Sequence, residues 1–507
     1  MTTNSTYAMK NDFDAETPDK PSTPDAIKSL GKPTEYKLYT RRWLVLAIFV
    51  LYSASNAMQW IQYSIIADVI MEYYNVSAIW VNWTSMIYMI TYIPLIFPAS
   101  WMLDKYGLRC SALLGGIGTC AGTWLKVFSV HRDMFWLGFL GQSVVGISQV
   151  FVLNLPARLA AVWFGPNQVS SACSIGVFGN QVRTFHSSFV HRHNSQHHIF
   201  TSSCHTSLLM MVLIKVSLAI QSSNSSFSLF QLGVAVGFLL PPMLVKNHDD
   251  QELVGKDLQF MFYCLAGLTS VLLVMIIVFF KAGPPTPPSA AQDIESPVGD
   301  FFHSIKRLAT NQNYILLLIS YGMNVGVFYA ISTLLNQVVL VYYPGANEDA
   351  GRIGLVIVLA GMLGSVMCGI ILDKTHRFKE TTFGVYAASV IGMVIYTFTL
   401  STGYIGIVYL SSFLLGFFMT GYLPVGFEFA AEITYPEPEG TTAGLLNASA
   451  QVFGIVFTII YGYFLDMWGD VWSNIALCLI LVVGTIFTVL IKSDLRRQAA
   501  SSSQGLP

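Results

Sequence analysis

From Trp43 onward the chain alternates long apolar runs with short polar connections. Apolar runs near 43–70, 80–103, 111–130, 134–162, 258–280, 313–342, 353–372, 382–400, 404–432, 441–465 and 471–491 each approach or exceed the ~20 residues that carry an α-helix across a bilayer. A further run is split into 169–181 and 232–245. Hydrocarbon offers the backbone no water, so these runs are expected to be helices that satisfy their own amides. The pattern predicts an all-α membrane protein with twelve transmembrane helices, a lipid bilayer being its first partner. The Pro-rich run KAGPPTPPSAAQDIES at 281–296 divides them six and six. The expected organisation is a disordered N-terminal tail (1–40), a first six-helix half (41–281), a linker (282–307), a second half (308–493) and a C-terminal tail (494–507).

Composition agrees. Charged residues make up 11% of the 507 and hydrophobic ones 53%, against about 25% charged in a soluble protein. Seven cysteines lie singly, with no CxxC pair and no disulfide framework. Basic residues mark alternate connections: Arg41 and Arg42, Lys105 and Arg109, Lys306 and Arg307, Lys374, Arg377 and Lys379, and Lys492, Arg496 and Arg497. The positive-inside bias assigns these, and both termini, to the cytoplasm, with Arg132 a mild exception. The opposite side carries the sequons Asn75-Val-Ser77 and Asn82-Trp-Thr84, the latter close to the membrane.

The two halves repeat. A shift of 270 carries Ala160 and Ala161 onto Ala430 and Ala431, Pro166 onto Pro436, and Gln181 onto Gln451 without a gap. A shift of 269 carries Leu103-Asp104-Lys105 onto Leu372-Asp373-Lys374. Parallel repeats of this kind are a transporter design with the substrate between the halves at mid-membrane. The turn Asp104-Lys105-Tyr106-Gly107-Leu108-Arg109 resembles the loop motif of the major facilitator superfamily, with Ser100 in place of its first glycine; in the second half His376 replaces the second. Asp104, Lys105, Gly107, Arg109, Asp373 and Lys374 are therefore candidates for biasing the inward or outward state.

Residues 182–231 interrupt the fifth span and hold six of the ten histidines. A metal-binding loop with Cys204 as a ligand is one reading. The favoured one is a translated intron. Gln181-Val182-Arg183 can be encoded CAG-GTG-AGA, a splice donor, and residues 227–231 by a pyrimidine-rich run ending in CAG, an acceptor. Removing 182–231 restores one apolar span and cuts the repeat spacing from 270 to 220.

Ionisable residues inside spans are few. Asp68 and Arg158 lie near span ends and Glu428 and Glu432 in span ten, so a chain of acids for proton relay is missing. Mid-span positions instead carry aromatic rings and amides: Gln59-Trp60-Ile61-Gln62-Tyr63, Tyr321, Phe328-Tyr329, Asn336, Gln337, Asn180-Gln181, Asn447 and Gln451. The repeat sets Trp60 against Tyr329 and Gln181 against Gln451. Aromatic faces stabilise a cation without a counter-charge and amides hydrogen-bond a hydroxyl or amine, a combination suited to a small quaternary ammonium alcohol. Each residue alone also fits ordinary helix packing. No enzyme constellation, cofactor motif or nucleic-acid motif is present.

Residues 56–66 (NAMQWIQYSII), 92–99 (YIPLIFPA), 162–165 (VWFG), 232–242 (LGVAVGFLLPP), 332–337 (STLLNQ), 416–424 (GFFMTGYLP), 426–436 (GFEFAAEITYP), 444–454 and 492–497 (KSDLRR) resemble the feline leukaemia virus subgroup C receptor family of major facilitator transporters. The resemblance implies the major facilitator fold, with twelve helices in two pseudo-symmetric halves. It further implies a facilitative, sodium- and proton-independent carrier of choline and ethanolamine. A monomer in the plasma membrane is expected, with the mitochondrial and endoplasmic reticulum membranes as alternatives. Haem transport is the family's other proposed activity. A non-transporting receptor or an inactive splice product is an alternative of another class. The resemblance points to Trp60 and Tyr329 for the ammonium group, to Gln181 and Gln451 for the amides, and to Met89 for the pocket wall; Gln231 becomes a second candidate because of the insert.

Overall fold

A computed structural model describes residues 39–163, 227–286, 301–375, 377–437 and 439–498. Gln181, most of the insert and the ends of both tails lie outside this set, as do the side chains of Asp104, Gln231 and Asp373. The helices are α1 (Arg41–Ile61), α2 (Ala67–Tyr74), α3 (Ala78–Phe128), α4 (Phe135–Trp163), α5 (Phe227–Leu244), α6 (Gln251–Phe279), α7 (Phe301–Thr310), α8 (Gln312–Tyr342), α9 (Asn347–Thr375), α10 (Phe378–Thr399), α11 (Ile405–Thr434) and α12 (Glu439–Leu490). No strand occurs among the described residues.

The twelve expected spans map onto this list. The first span is α1, a 3₁₀ turn at Ser64–Ile66, and α2. Spans two and three are the arms of α3, joined at Gly107, whose φ of 78° and ψ of 179° break the helix. Only glycine takes that conformation without strain, which explains its place in the Asp-Lys turn. Spans eleven and twelve are likewise the arms of α12, joined at Gly469 with φ 79°. The fifth span is represented by α5 alone. The end of the expected linker is the helix α7, whose Arg307 pairs with Glu437 at 3.1 Å.

Caps set several starts. Asp250 accepts the Glu252 amide at 2.9 Å to open α6, and Asn311 accepts the Tyr314 amide at 3.3 Å to open α8, satisfying amides that a first turn leaves free. Large apolar side chains such as Ile117, Phe128, Ile391 and Leu479 remain exposed, as lipid-facing positions of a multi-pass protein should. Within the halves α3 packs on α4, α1 on α5, α8 on α12 and α9 on α11. Gly233 and Gly237 let α5 lie directly on the Ala54 and Met58 backbone of α1; an added Cβ would approach within 2.5 Å. The halves meet along α5–α9 and α3–α12.

Three hydrogen-bonded connections cross between halves on the side carrying Asn75. Asn347 donates to Asp68 at 2.7 Å, Gln337 to Asn82 at 2.8 Å, and Ser85 and Thr333 meet at 3.2 Å. Asn336 joins the first through Asn347 at 2.6 Å. Asn336 and Gln337 thus serve the junction of the halves. Asn82 is committed to Gln337 and only 6% exposed, a poor glycosylation acceptor, whereas Asn75 is exposed in a left-handed helix cap.

Candidate substrate pocket

Below those connections lies a pocket between the two halves. It is lined by Trp60 of α1, Tyr88 and Met89 of α3, Gln149 of α4, Val234 of α5, Val325, Phe328 and Tyr329 of α8, Leu423 of α11 and Gln451 of α12. Four expected residues, Trp60, Met89, Tyr329 and Gln451, are therefore brought together from both halves. Trp60 and Tyr329, 269 positions apart, stand edge to face with ring centroids 5.4 Å apart at 72°. Gln451 stands beside the Tyr329 side chain in this lining. Gly454, one turn of α12 further, lies under the same ring: a Cβ there would stand 2.8 Å from Tyr329 Cδ2 and 3.0 Å from Met89 Sδ.

The described lining has no carboxylate, lysine, arginine or histidine. Ring centroids this close allow one cation to lie within the ~6 Å range of both aromatic faces, while Gln149 and Gln451 offer donors and acceptors from opposite halves. The arrangement suits a small organic cation bearing a hydrogen-bonding group.

Gln149 was not among the sequence candidates. Its signal was an amide in the middle of the fourth span, the same signal that singled out Gln451. The apolar lining residues carried none. Of the other mid-span candidates, Tyr321 packs against Tyr422 and Phe427 with centroids 5.9 and 5.4 Å apart, and Asn447 lies beside Tyr92. Glu428 meets Arg497 at 3.8 Å, and Glu432 accepts the Gln498 amide at 3.3 Å. Sequence reading also passed over Lys126, which lies four residues before the end of the third apolar run yet is fully buried. In the turn between the arms of α3, Lys105 lies over the Trp101 ring at 4.6 Å and Arg109 donates to the Ile277 carbonyl at 3.2 Å. Lys374 is exposed in the last turn of α9.

Comparison with known proteins agrees with this architecture. The Major Facilitator Superfamily profile matches residues 45–185 and 224–458. The chain is 46% identical over 486 residues to the zebrafish (Danio rerio) choline/ethanolamine transporter flvcr2a, covering 95% of this chain and 93% of that one. It belongs to the FLVCR family of the major facilitator superfamily. The human (Homo sapiens) choline/ethanolamine transporter FLVCR2 is 45% identical, covering 92% of this chain and 80% of its own. In fold, the chain resembles a bacterial homologue of the human lysosomal transporter Spinster solved inward-facing and unoccupied, with a TM-score of 0.61 at 13% identity over 91% of this chain and 99% of that one. This FLVCR-family chain is accordingly a multi-pass transporter of a small molecule.

Proposed function

We propose that the protein is a facilitative uniporter that carries choline and ethanolamine by alternating access. The observation that carries this reading is the Trp60–Tyr329 ring pair, 5.4 Å between centroids, in a described lining without a carboxylate. A quaternary ammonium needs no proton acceptor, and its charge is met by the two ring faces at about 0.5–2 kcal/mol each when desolvated. Gln149 and Gln451 hold the hydroxyl of choline or the smaller head of ethanolamine, and Met89 fills the wall. Gln181, if the fifth span is restored, adds a further amide. The names of the zebrafish and human relatives support the same substrates.

The connections through Asp68, Asn82 and Ser85 support a state closed on the Asn75 side. With the basic loops cytoplasmic, that side is extracellular and the state faces inward. The Asp104–Arg109 turn and its Asp373-Lys374 counterpart act at the cytoplasmic ends as conformational elements. The carrier works as a monomer in the plasma membrane with both termini inside. Residues 182–231 are retained intron, a reading supported by the stretch 186–223 that the superfamily profile leaves out. Haem carriage would want axial ligands, and His131 and His248 sit in turns on the Asn75 side, away from the pocket lining.

Radiolabelled choline uptake in cells, comparing the chain as it stands, the form lacking 182–231, and Trp60→Ala, tests the reading. Saturable uptake by at least one of the first two forms, with a half-saturation raised about thirtyfold in Trp60→Ala, is expected. Uptake unaffected by Trp60→Ala would remove the aromatic site. Sequencing the mature transcript decides the insert; a message that keeps these codons in most tissues would refute the intron.

A further inference from the structure

Lys126 sits in the last turn of the second arm of α3, 0% exposed. Burying an ammonium at membrane depth is costly unless it is partnered. Its acceptor among the described residues is Gln59, with Nζ 3.0 Å from Oε1, and it lies 5.8 Å from the Tyr63 ring. The stem crosses the bundle where α4 makes room: a Cβ on Gly141 would stand 3.0 Å from Lys126 Cγ. Gln59 is itself fully buried and held twice more. Its amide donates to the Ser55 carbonyl at 3.0 Å, and its own carbonyl accepts from Gln142 of α4 at 2.7 Å. That carbonyl belongs to the last turn of α1, where helical partners run out.

The residue after Gln59 is Trp60, and α1 ends at Ile61. Beyond it the backbone passes through Gln62 and Tyr63 into the 3₁₀ turn at Ser64–Ile66, so the regular α-helical ladder does not continue past the ring. We infer that Lys126 is a positioning residue: by fixing Gln59 from α3, it keeps the end of α1, and with it the Trp60 ring, in place against Tyr329. Lys126 does not line the pocket, so it acts through Gln59. The inference rests on the reading that Trp60 binds the substrate's ammonium group.

The test is choline uptake per molecule at the cell surface, in whichever of the two forms above transports. Lys126→Met is expected to raise the half-saturation concentration about tenfold, with the maximal rate within about twofold, as a loss of roughly 1.4 kcal/mol in binding requires. In a Trp60→Ala background the same change should add less than about twofold, because coupled residues do not add. If Lys126→Met does not reach the surface, the pair Lys126→Met with Gln59→Met removes the contact and leaves neither partner orphaned, a substitution that is close to neutral for folding. It should show the same shift in half-saturation. An unchanged half-saturation, or full additivity with Trp60→Ala, would overturn the positioning role, since a merely structural lysine lowers the amount or the maximal rate instead. Normal choline uptake that depends on Trp60 but not on these variants would sink this inference alone; absence of choline uptake in both wild-type forms would sink the functional reading beneath it.

Discussion

The two walls of the pocket are related by the repeat, but they are held differently. On one wall the first span breaks after Ile61 and resumes as a 3₁₀ turn at Ser64. On the other, α8 runs unbroken for 31 residues past Tyr329 to Tyr342. At the shift of 269 that pairs Trp60 with Tyr329, Gln59 falls on Phe328 and Lys126 on Ile395. The broken wall thus carries an amide and a buried lysine where the continuous wall carries a ring and a lipid-exposed isoleucine. A continuous helix hydrogen-bonds its own carbonyls and can position Tyr329 by packing against Gly454 and Gln451. A broken one leaves carbonyls free and must borrow donors from neighbouring helices, here Gln142 and Lys126.

The comparison can be broken most strongly at the rings. Trp60→Ala should raise choline half-saturation about thirtyfold, the ~2 kcal/mol upper range of a desolvated cation–π contact, and Tyr329→Ala about tenfold. Concentration-dependent uptake checks both, and equal values would mean that the walls contribute alike. Gly454→Ala strikes the continuous wall through its packing. The Cβ would press on Tyr329 Cδ2 at 2.8 Å, and about a fivefold loss of uptake is expected, near the low end of overpacking costs. Stability separates the walls next. Gln142→Leu strips the donor from the Gln59 carbonyl and should lower the thermal midpoint of detergent-purified protein by the equivalent of about 1 kcal/mol. Asn324→Leu on the continuous wall should not lower it, because both side-chain polar atoms of Asn324 are buried without a partner. The smallest effect is expected at Ser85→Ala. It removes the 3.2 Å contact with Thr333, one turn from Tyr329, and should favour opening on the Asn75 side by about 0.5–1 kcal/mol. The reaction rate of a cysteine introduced beside it reads that shift.

Much of this was legible in the order of residues. The apolar runs and the 269–270 shift imply twelve helices in two related halves, and the shift pairs Trp60 with Tyr329 before any coordinates are known. Gln451, from the repeat, and Met89, from the family resemblance alone, both line the pocket. Gln149 did not stand out, because one amide in an apolar span reads the same whether it faces a pocket or a neighbouring helix. Asn336 and Gln337 carried that same signal and turned out to join the halves.

What the sequence by itself determined is what hydrophobicity and periodicity control: which segments leave water, how many there are, and which positions the repeat makes equivalent. These follow from local composition, since a bilayer sorts segments one at a time. Only the tertiary structure decided which equivalent positions share a job. The direction of each side chain depends on helix rotation and on breaks such as the one after Ile61, and both are set by contacts between segments far apart in the chain. Lys126 is the clearest case. In sequence it is a lysine near the end of an apolar run, where a long side chain ordinarily reaches out to water. The room beside Gly141 and the free acceptor on Gln59 turn it inward, and neither could be seen without the neighbouring helices in place.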